Sequence, residues 1–317
     1  EDCVYTLTHN GYIKRLPTAE YRAQGRGGKG VKAMATREED YVETVFTAST
    51  HDSILFFTNL GKVYVRKGYR IPEAGRSARG QNIVNIIPTD PGEKVSAMIA
   101  GRGVTEDNYL VFVTRNGTVK RTAQSAFKNI RSNGIRALSL DEGDELISVL
   151  QTTGEDKILL ATHDGMAICF AETDARAMGR DAVGVRGIRL REGDYVVGAG
   201  IAAEGAAILS ITENGYGKRT DVGEYSVQNR GGMGLKNYNV TDKTGPVADV
   251  VIVTGDEDLL VISDDGTIIR MDVGSISLLS RSTQGVRVMR LTGDAKVISI
   301  APTDKEDSAE ADSPEAN

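Results

Sequence analysis

Six copies of one spacing constrain this chain more tightly than anything in its composition. In each copy an apolar stretch ends in Thr or Ser, a glycine follows three residues later, and an Arg followed by a second glycine comes roughly twenty residues on. The first glycines are Gly11, Gly61, Gly117, Gly165, Gly215 and Gly266, spaced by 50, 56, 48, 50 and 51 residues. The second are Gly30, Gly80, Gly134, Gly184, Gly234 and Gly285, each 19 residues after the first except in the third copy, where the gap is 17. Just ahead of them stand Arg26, Arg76, Arg131, Arg180, Arg230 and Arg281. The residue before the first glycine is Asn10, Leu60, Asn116, Asp164, Asn214 or Asp265, and Asn-Gly or Asp-Gly pairs predict two-residue hairpins because both residues tolerate positive φ. A length of 317 residues would suggest two domains, but a repeat of this period predicts one array of stacked units.

Within a repeat the hydrophobic pattern predicts four short strands. In the second these are Ile54–Thr58, Lys62–Val65, Ile83–Ile87 and Val95–Ala100; in the third, Leu110–Thr114, Thr118–Arg121, Ile135–Leu140 and Leu146–Leu150. Four strands in about 50 residues is the composition of a propeller blade, so the expected fold is all-β, six-bladed, with four-stranded antiparallel blades in a disc or shallow spiral. The repeats fall at about 4–50, 53–103, 108–154, 157–204, 206–256 and 258–303. The Thr and Ser hydroxyls before the turns are expected only to satisfy local hydrogen bonds. Residues 304–317 hold six acids against one lysine, a net of −5, so residues 1–303 carry only −1 of the chain's −6. That acidic, Ala- and Ser-rich tail is expected to be disordered and to compete with any anion for nearby cations.

Positive charge recurs at fixed places. The first-repeat loop reads Gln24-Gly25-Arg26-Gly27-Gly28-Lys29-Gly30, with a partial copy at Arg230-Gly231-Gly232-Met233-Gly234. Glycines let backbone N–H groups approach an anionic surface, and Arg and Lys supply charge-assisted bonds to phosphate. A second set lies on the hairpin's second strand: Lys14-Arg15, Lys120-Arg121, Lys218-Arg219 and Arg270, with Lys62 and Arg66-Lys67 in the second repeat, while the fourth carries Ile168-Cys169-Phe170 followed by Glu172 and Asp174. The recurrence of both sets predicts a basic outer rim, to which Arg76 and Arg79 also belong, and the fourth blade should contribute least to it.

Other classes find little support. His9, His51 and His163 stand apart in sequence and there is no Cys-x-x-Cys, so no metal site is expected. Gly198-Ala199-Gly200-Ile201-Ala202-Ala203 formally fits a dinucleotide fingerprint, but the repeat places it in a strand and turn rather than at a helix N-terminus. No apolar run approaches the ~18 residues of a membrane span. Cys3 and Cys169 lie in different repeats, which suits a reducing compartment. Starting at Glu1 without a leader and entering a strand by Val4, the chain reads as a fragment. A propeller that docks proteins on its face is the alternative from another class; it predicts apolar loop tips instead of aligned cations.

On these residues the chain resembles the C-terminal domain of the A subunit of bacterial DNA gyrase over about residues 1–303. The first-repeat heptad is similar to that family's Gln-Arg-Arg-Gly-Gly-Lys-Gly box: Gln24, Arg26, Gly27, Gly28, Lys29 and Gly30 match, and Gly25 stands where the family has Arg. The near-complete box sets aside the degenerate topoisomerase IV counterpart. The resemblance implies a six-bladed β-pinwheel that wraps double-stranded DNA with fixed hand and without reading sequence, so that gyrase introduces negative supercoils by ATP-dependent strand passage. It implies DNA contacts from the box and from the rim residues Lys14, Arg15, Lys62, Arg66, Lys67, Arg76, Arg79, Lys120, Arg121, Arg131, Arg180, Lys218, Arg219, Arg230, Arg270 and Arg281. It also implies no catalytic residue and no cofactor in this part of the enzyme. The implied partners are the B subunit together with the rest of the A subunit; the isolated domain would be monomeric, in the bacterial cytoplasm and associated with the nucleoid.

Overall fold

A computed structural model describes residues 1–20, 40–75, 77–101, 108–303 and 305. The chain forms the expected six-bladed all-β propeller: five four-stranded antiparallel sheets and one three-stranded sheet among the described residues. Within each blade the three long strands come from one repeat. In blade 2 these are Ser53–Thr58, Lys62–Lys67 and Val95–Ala100, the last innermost. The innermost strands of successive blades neighbour one another around the ring, and Val297–Thr303 of blade 6 lies beside Val42–Ser49 of blade 1.

The fourth strand departs from expectation. It is two residues long and belongs to the following repeat: Gln81–Asn82 pairs with Tyr12–Pro17 of blade 1, and Ile135–Arg136 pairs with Lys62–Lys67 of blade 2. The apolar run at Ile83–Ile87 is therefore no strand. Ile83–Asn85 forms a 3₁₀ turn, and both Ile83 and Ile87 enter the core. Each repeat thus hooks its predecessor. The strand Ile268–Asp272 of blade 6 has no such fourth partner among the described residues.

Both glycines of the repeat have a geometric cause. No described non-glycine residue has positive φ, whereas the first glycines lie between +83° and +89°. The hairpins are therefore not two-residue loops with both central residues left-handed. The glycine N–H bonds the carbonyl three residues back, as in Gly117 to Thr114 at 3.0 Å, the geometry of a type I turn with a left-handed residue after it. The hydroxyl of Thr114 accepts the Thr118 N–H at 3.1 Å, and Thr8, Thr162 and Thr212 do the same in their blades. The second glycine lies against the preceding blade: a Cβ on Gly184 or Gly234 would run into the carbonyl oxygen of Val119 or Ala167. Only glycine lets the hook approach so closely.

Five apolar clusters each join two adjacent blades, from Tyr5, Ile13, Phe56 and Tyr64 between blades 1 and 2 to Leu209, Ile211, Leu259 and Val261 between blades 5 and 6. No such cluster joins blade 6 to blade 1 among the described residues. There the contact is polar, with Tyr41 Oη 3.2 Å from Ser299 Oγ.

Candidate nucleic-acid interface

The strand lysines and arginines, expected on the rim, turn inward at three alternate blades. Lys120 is 1 % and Lys218 0 % exposed. The Lys120 ammonium donates to the carbonyls of Ala137, Gly179 (3.1 Å) and Arg180 (2.9 Å). Lys218 donates to those of Ser280 (2.8 Å), Arg281 (2.8 Å) and Thr283 (2.9 Å). Lys14 holds Gly75 and Ala78 in the same way from a part-buried position. Burial lowers both Lys120 and Lys218 to about 8, so both are charged at neutral pH. Each lysine gathers carbonyls of the Arg-Gly loop in the next repeat.

The paired arginines act one turn away. Arg15 Nε donates to Ile71 O (2.7 Å), Arg121 Nε to Ala175 O (2.8 Å) and Arg219 Nε to Ile276 O (2.8 Å), in each case the residue that ends a 3₁₀ turn of the next blade. Arg121 is buried, stacks over Tyr109 and lies 3.6 Å from Glu172, itself buried and accepting from Thr152 Oγ1 and the Asp156 N–H. The expectation that Lys120, Arg121 and Lys218 face solvent on the rim is therefore corrected. Repetition at these sites reflects a recurring blade-to-blade staple, because buried carbonyls need donors. Lys and Arg occur together at this place in repeats 1, 3 and 5, while repeats 2, 4 and 6 carry Tyr64-Val65, Ile168-Cys169 and Ile269-Arg270.

The remaining strand cations are also engaged. Arg66 donates to Ile86 O, Val65 O and, on blade 3, Ser132 O. Arg270 lies 2.9 Å from Asp258 and Lys62 3.6 Å from Asp90. Lys67 is exposed and reaches His51 O, and exposed Arg79 stacks over Tyr12.

The arginines of the Arg-Gly loops behave differently. Arg131 is exposed, and Arg180, Arg230 and Arg281 are half-buried. Arg180 Nη1 donates to Arg136 O (3.3 Å), Arg230 Nη1 to Arg186 O (3.2 Å) and Arg281 Nη1 to Lys236 O (2.9 Å). Each guanidinium thus reaches back to the hook strand of the previous repeat, leaving donors unspent. None of these four forms an ion pair with a carboxylate among the described residues. Arg76 and the whole box, Gln24, Arg26, Gly27, Gly28, Lys29 and Gly30, lie outside the described residues.

The hooks add cations that the repeat of the loop arginines does not predict. Arg136, Arg186, Lys236 and Arg287 each occupy the second position of a two-residue outer strand and are exposed. Loop and hook cations therefore alternate along the outer edge from repeat 3 to repeat 6. Their signal in the sequence is a basic residue two positions after the second glycine, also seen at Lys32, with Asn82 the exception.

The family profile described as DNA gyrase C-terminal domain, beta-propeller, matches residues 4–49, 52–101, 108–153, 156–203, 207–254 and 257–304. The chain is 49% identical over 313 residues to the DNA gyrase A subunit of Staphylococcus aureus strain MRSA252, covering 98% of the chain and 35% of that relative. Identity to the same protein of strain NCTC 8325 / PS 47 is 49% over 310 residues, 97% of the chain and 35% of the relative. The chain thus spans about a third of the curated relatives it matches. Among solved structures it is similar to the C-terminal domain of DNA topoisomerase IV, with a TM-score of 0.82 at 27% identity over 96% of this chain and 94% of that one. A solved C-terminal domain of DNA gyrase A gives 0.75 at 29% identity over 96% and 100%.

Proposed function

Because this chain belongs to the DNA gyrase C-terminal domain family of β-propellers, we propose that its outer edge binds double-stranded DNA and bends it around the propeller, as the wrapping element of a supercoiling gyrase. The observation that carries this reading is the alternation of Arg180, Arg230 and Arg281 with Arg136, Arg186, Lys236 and Arg287 at equivalent places on successive blades. Bending 20–30 base pairs by 40–90° costs roughly 1–6 kcal/mol. Many phosphate contacts spread along a curve offset that cost, and displaced counterions supply the free energy. Among the described residues the helical segments are single turns and offer no recognition helix, and in this reading binding follows backbone charge and deformability rather than base identity.

Arg26 and Lys29 of the box complete the wrap in this reading, and Gly25 removes one cation from it. The B subunit together with the rest of the A subunit are the proposed partners, and supercoiling is the proposed activity of the assembly.

The test is a titration with linear duplexes of increasing length at about 50 and 200 mM salt. Affinity should rise with length until the rim is occupied and fall steeply with salt. Affinity indifferent to length, with a shallow salt slope, would refute wrapping. Arg26→Ala with Lys29→Ala should abolish wrapping while leaving residual binding; equal loss of both would deny the box a separate role.

A further inference from the structure

Blade 4 carries a cluster that the repeat does not require. In three blades an aspartate at the start of the inner strand caps the hairpin turn. Asp40 Oδ1 accepts from the N–H groups of Asn10 and Tyr41, Asp144 Oδ1 from Asn116 and Glu145, and Asp194 Oδ1 from Asp164 and Tyr195. In the first two cases the turn residue is Asn. Of the three, only blade 4 has Asp there, so that a histidine and two carboxylates converge.

One ligand atom from each of His163, Asp164 and Asp194 lies within 4.8 Å of the others. Asp194 is 9 % exposed, and its Oδ2, unlike its Oδ1, is buried without a hydrogen-bond partner. A buried carboxylate oxygen beside a second carboxylate is costly unless a cation neutralises it. His163 is suitably held: its ring stacks on Tyr195 at 4.5 Å, Nδ1 lies 3.5 Å from Asp164 Oδ1, and Nε2 lies 3.7 Å from Glu213 Oε2 of blade 5. A carboxylate facing the second imidazole nitrogen is the arrangement that fixes ring orientation in histidine-ligated metal sites.

We propose that His163, Asp164 and Asp194 bind one divalent transition-metal cation of the zinc class, with water completing its coordination. Two carboxylates and a neutral imidazole balance a charge of +2, and the imidazole favours Zn²⁺ over Mg²⁺. The site also has a structural place. Ile168-Cys169 deprives the junction of blades 4 and 5 of the lysine–arginine staple found at Lys120-Arg121 and Lys218-Arg219. His163 O accepts the Val247 N–H of blade 5 at 2.9 Å and its Nε2 faces Glu213 of that blade, so the site lies at that junction.

The test uses this chain, stripped of metal by chelator, titrated calorimetrically with Zn²⁺ while its thermal unfolding is followed. One ion should bind saturably and raise the unfolding midpoint. Asp164→Asn and Asp194→Asn should each weaken binding by roughly 10–100-fold or more; Asn at 194 retains the oxygen that caps the turn. Asp144→Asn in blade 3 and removal of residues 304–317 should leave Zn²⁺ affinity unchanged. Absence of saturable binding, or equal affinity in both blade 4 variants and the parent chain, would overturn the proposal. Mg²⁺ binding as tight as Zn²⁺ would overturn the assigned metal class.

Discussion

Lys218 and Arg281 are both basic, both recur around the ring and touch each other's segments, yet they occupy opposite regimes. Lys218 is fully buried with its ammonium enclosed by three carbonyls. Arg281 is half-buried, spends one bond on Lys236 O and stacks loosely over Tyr225. The lysine shapes the loop that presents the arginine. Recurrence of a charge is therefore no measure of its availability to a ligand, because blade-to-blade contacts recur as faithfully as binding sites do.

The contrast breaks most readily at the lysines. Replacing Lys120 or Lys218 by Met takes a buried ammonium away from three carbonyls and should cost roughly 3–5 kcal/mol of stability, read as a lower urea midpoint. The salt slope of DNA binding by the molecules that remain folded should not change. A loss under about 1 kcal/mol would mean that water replaces the ammonium. The opposite behaviour is expected of Arg180→Ala, Arg230→Ala and Arg281→Ala combined. Log affinity against log salt should lose about 0.9 of slope per charge, with stability altered by about 1 kcal/mol or less, since surface bonds contribute little. An unchanged slope would place these loops away from DNA.

Smaller effects sharpen the same division. Lys14→Met should cost only about 1–2 kcal/mol, because Lys14 is half-buried where Lys120 and Lys218 are fully buried, and water can reach the carbonyls it leaves. A pH effect is expected on the inner strand of blade 5, where it meets blade 6. Asp249 accepts from the N–H groups of Ile300 and Val250, with Glu43 nearby. Burial outweighs those two bonds and raises its carboxyl to about 7 from an ordinary 3.8. The folded chain holds that proton where the unfolded chain has lost it, so its contribution to stability is full below the ordinary value and disappears as pH rises through 7. Thermal unfolding across pH 5–8 should show this decline, and Asp249→Asn should flatten it.

Much of the fold was legible because its causes are local. Type I turns closed by a left-handed glycine, threonines capping those turns and short continuous apolar strands all leave marks within a few residues. The exchange of the fourth strand was not legible: Gln81–Asn82 and Ile135–Arg136 are too short to show a period, and their partners lie in the preceding repeat. The candidate interface was half legible. The loop arginines stood out by position, but Lys120, Arg121 and Lys218 carried the same signal and lie inside.

The amino-acid order alone determined six repeated units, the glycines each unit needs and the positions of the basic residues, because backbone sterics and short-range periodicity act between neighbours in the chain. Tertiary structure decided which of those residues meet water and which meet carbonyls, and it brought His163 and Asp164 against Asp194 thirty residues away. The first outcome depends on how one blade packs against the next, which is set by residues about fifty positions apart; the second depends on how the strands of blade 4 pair.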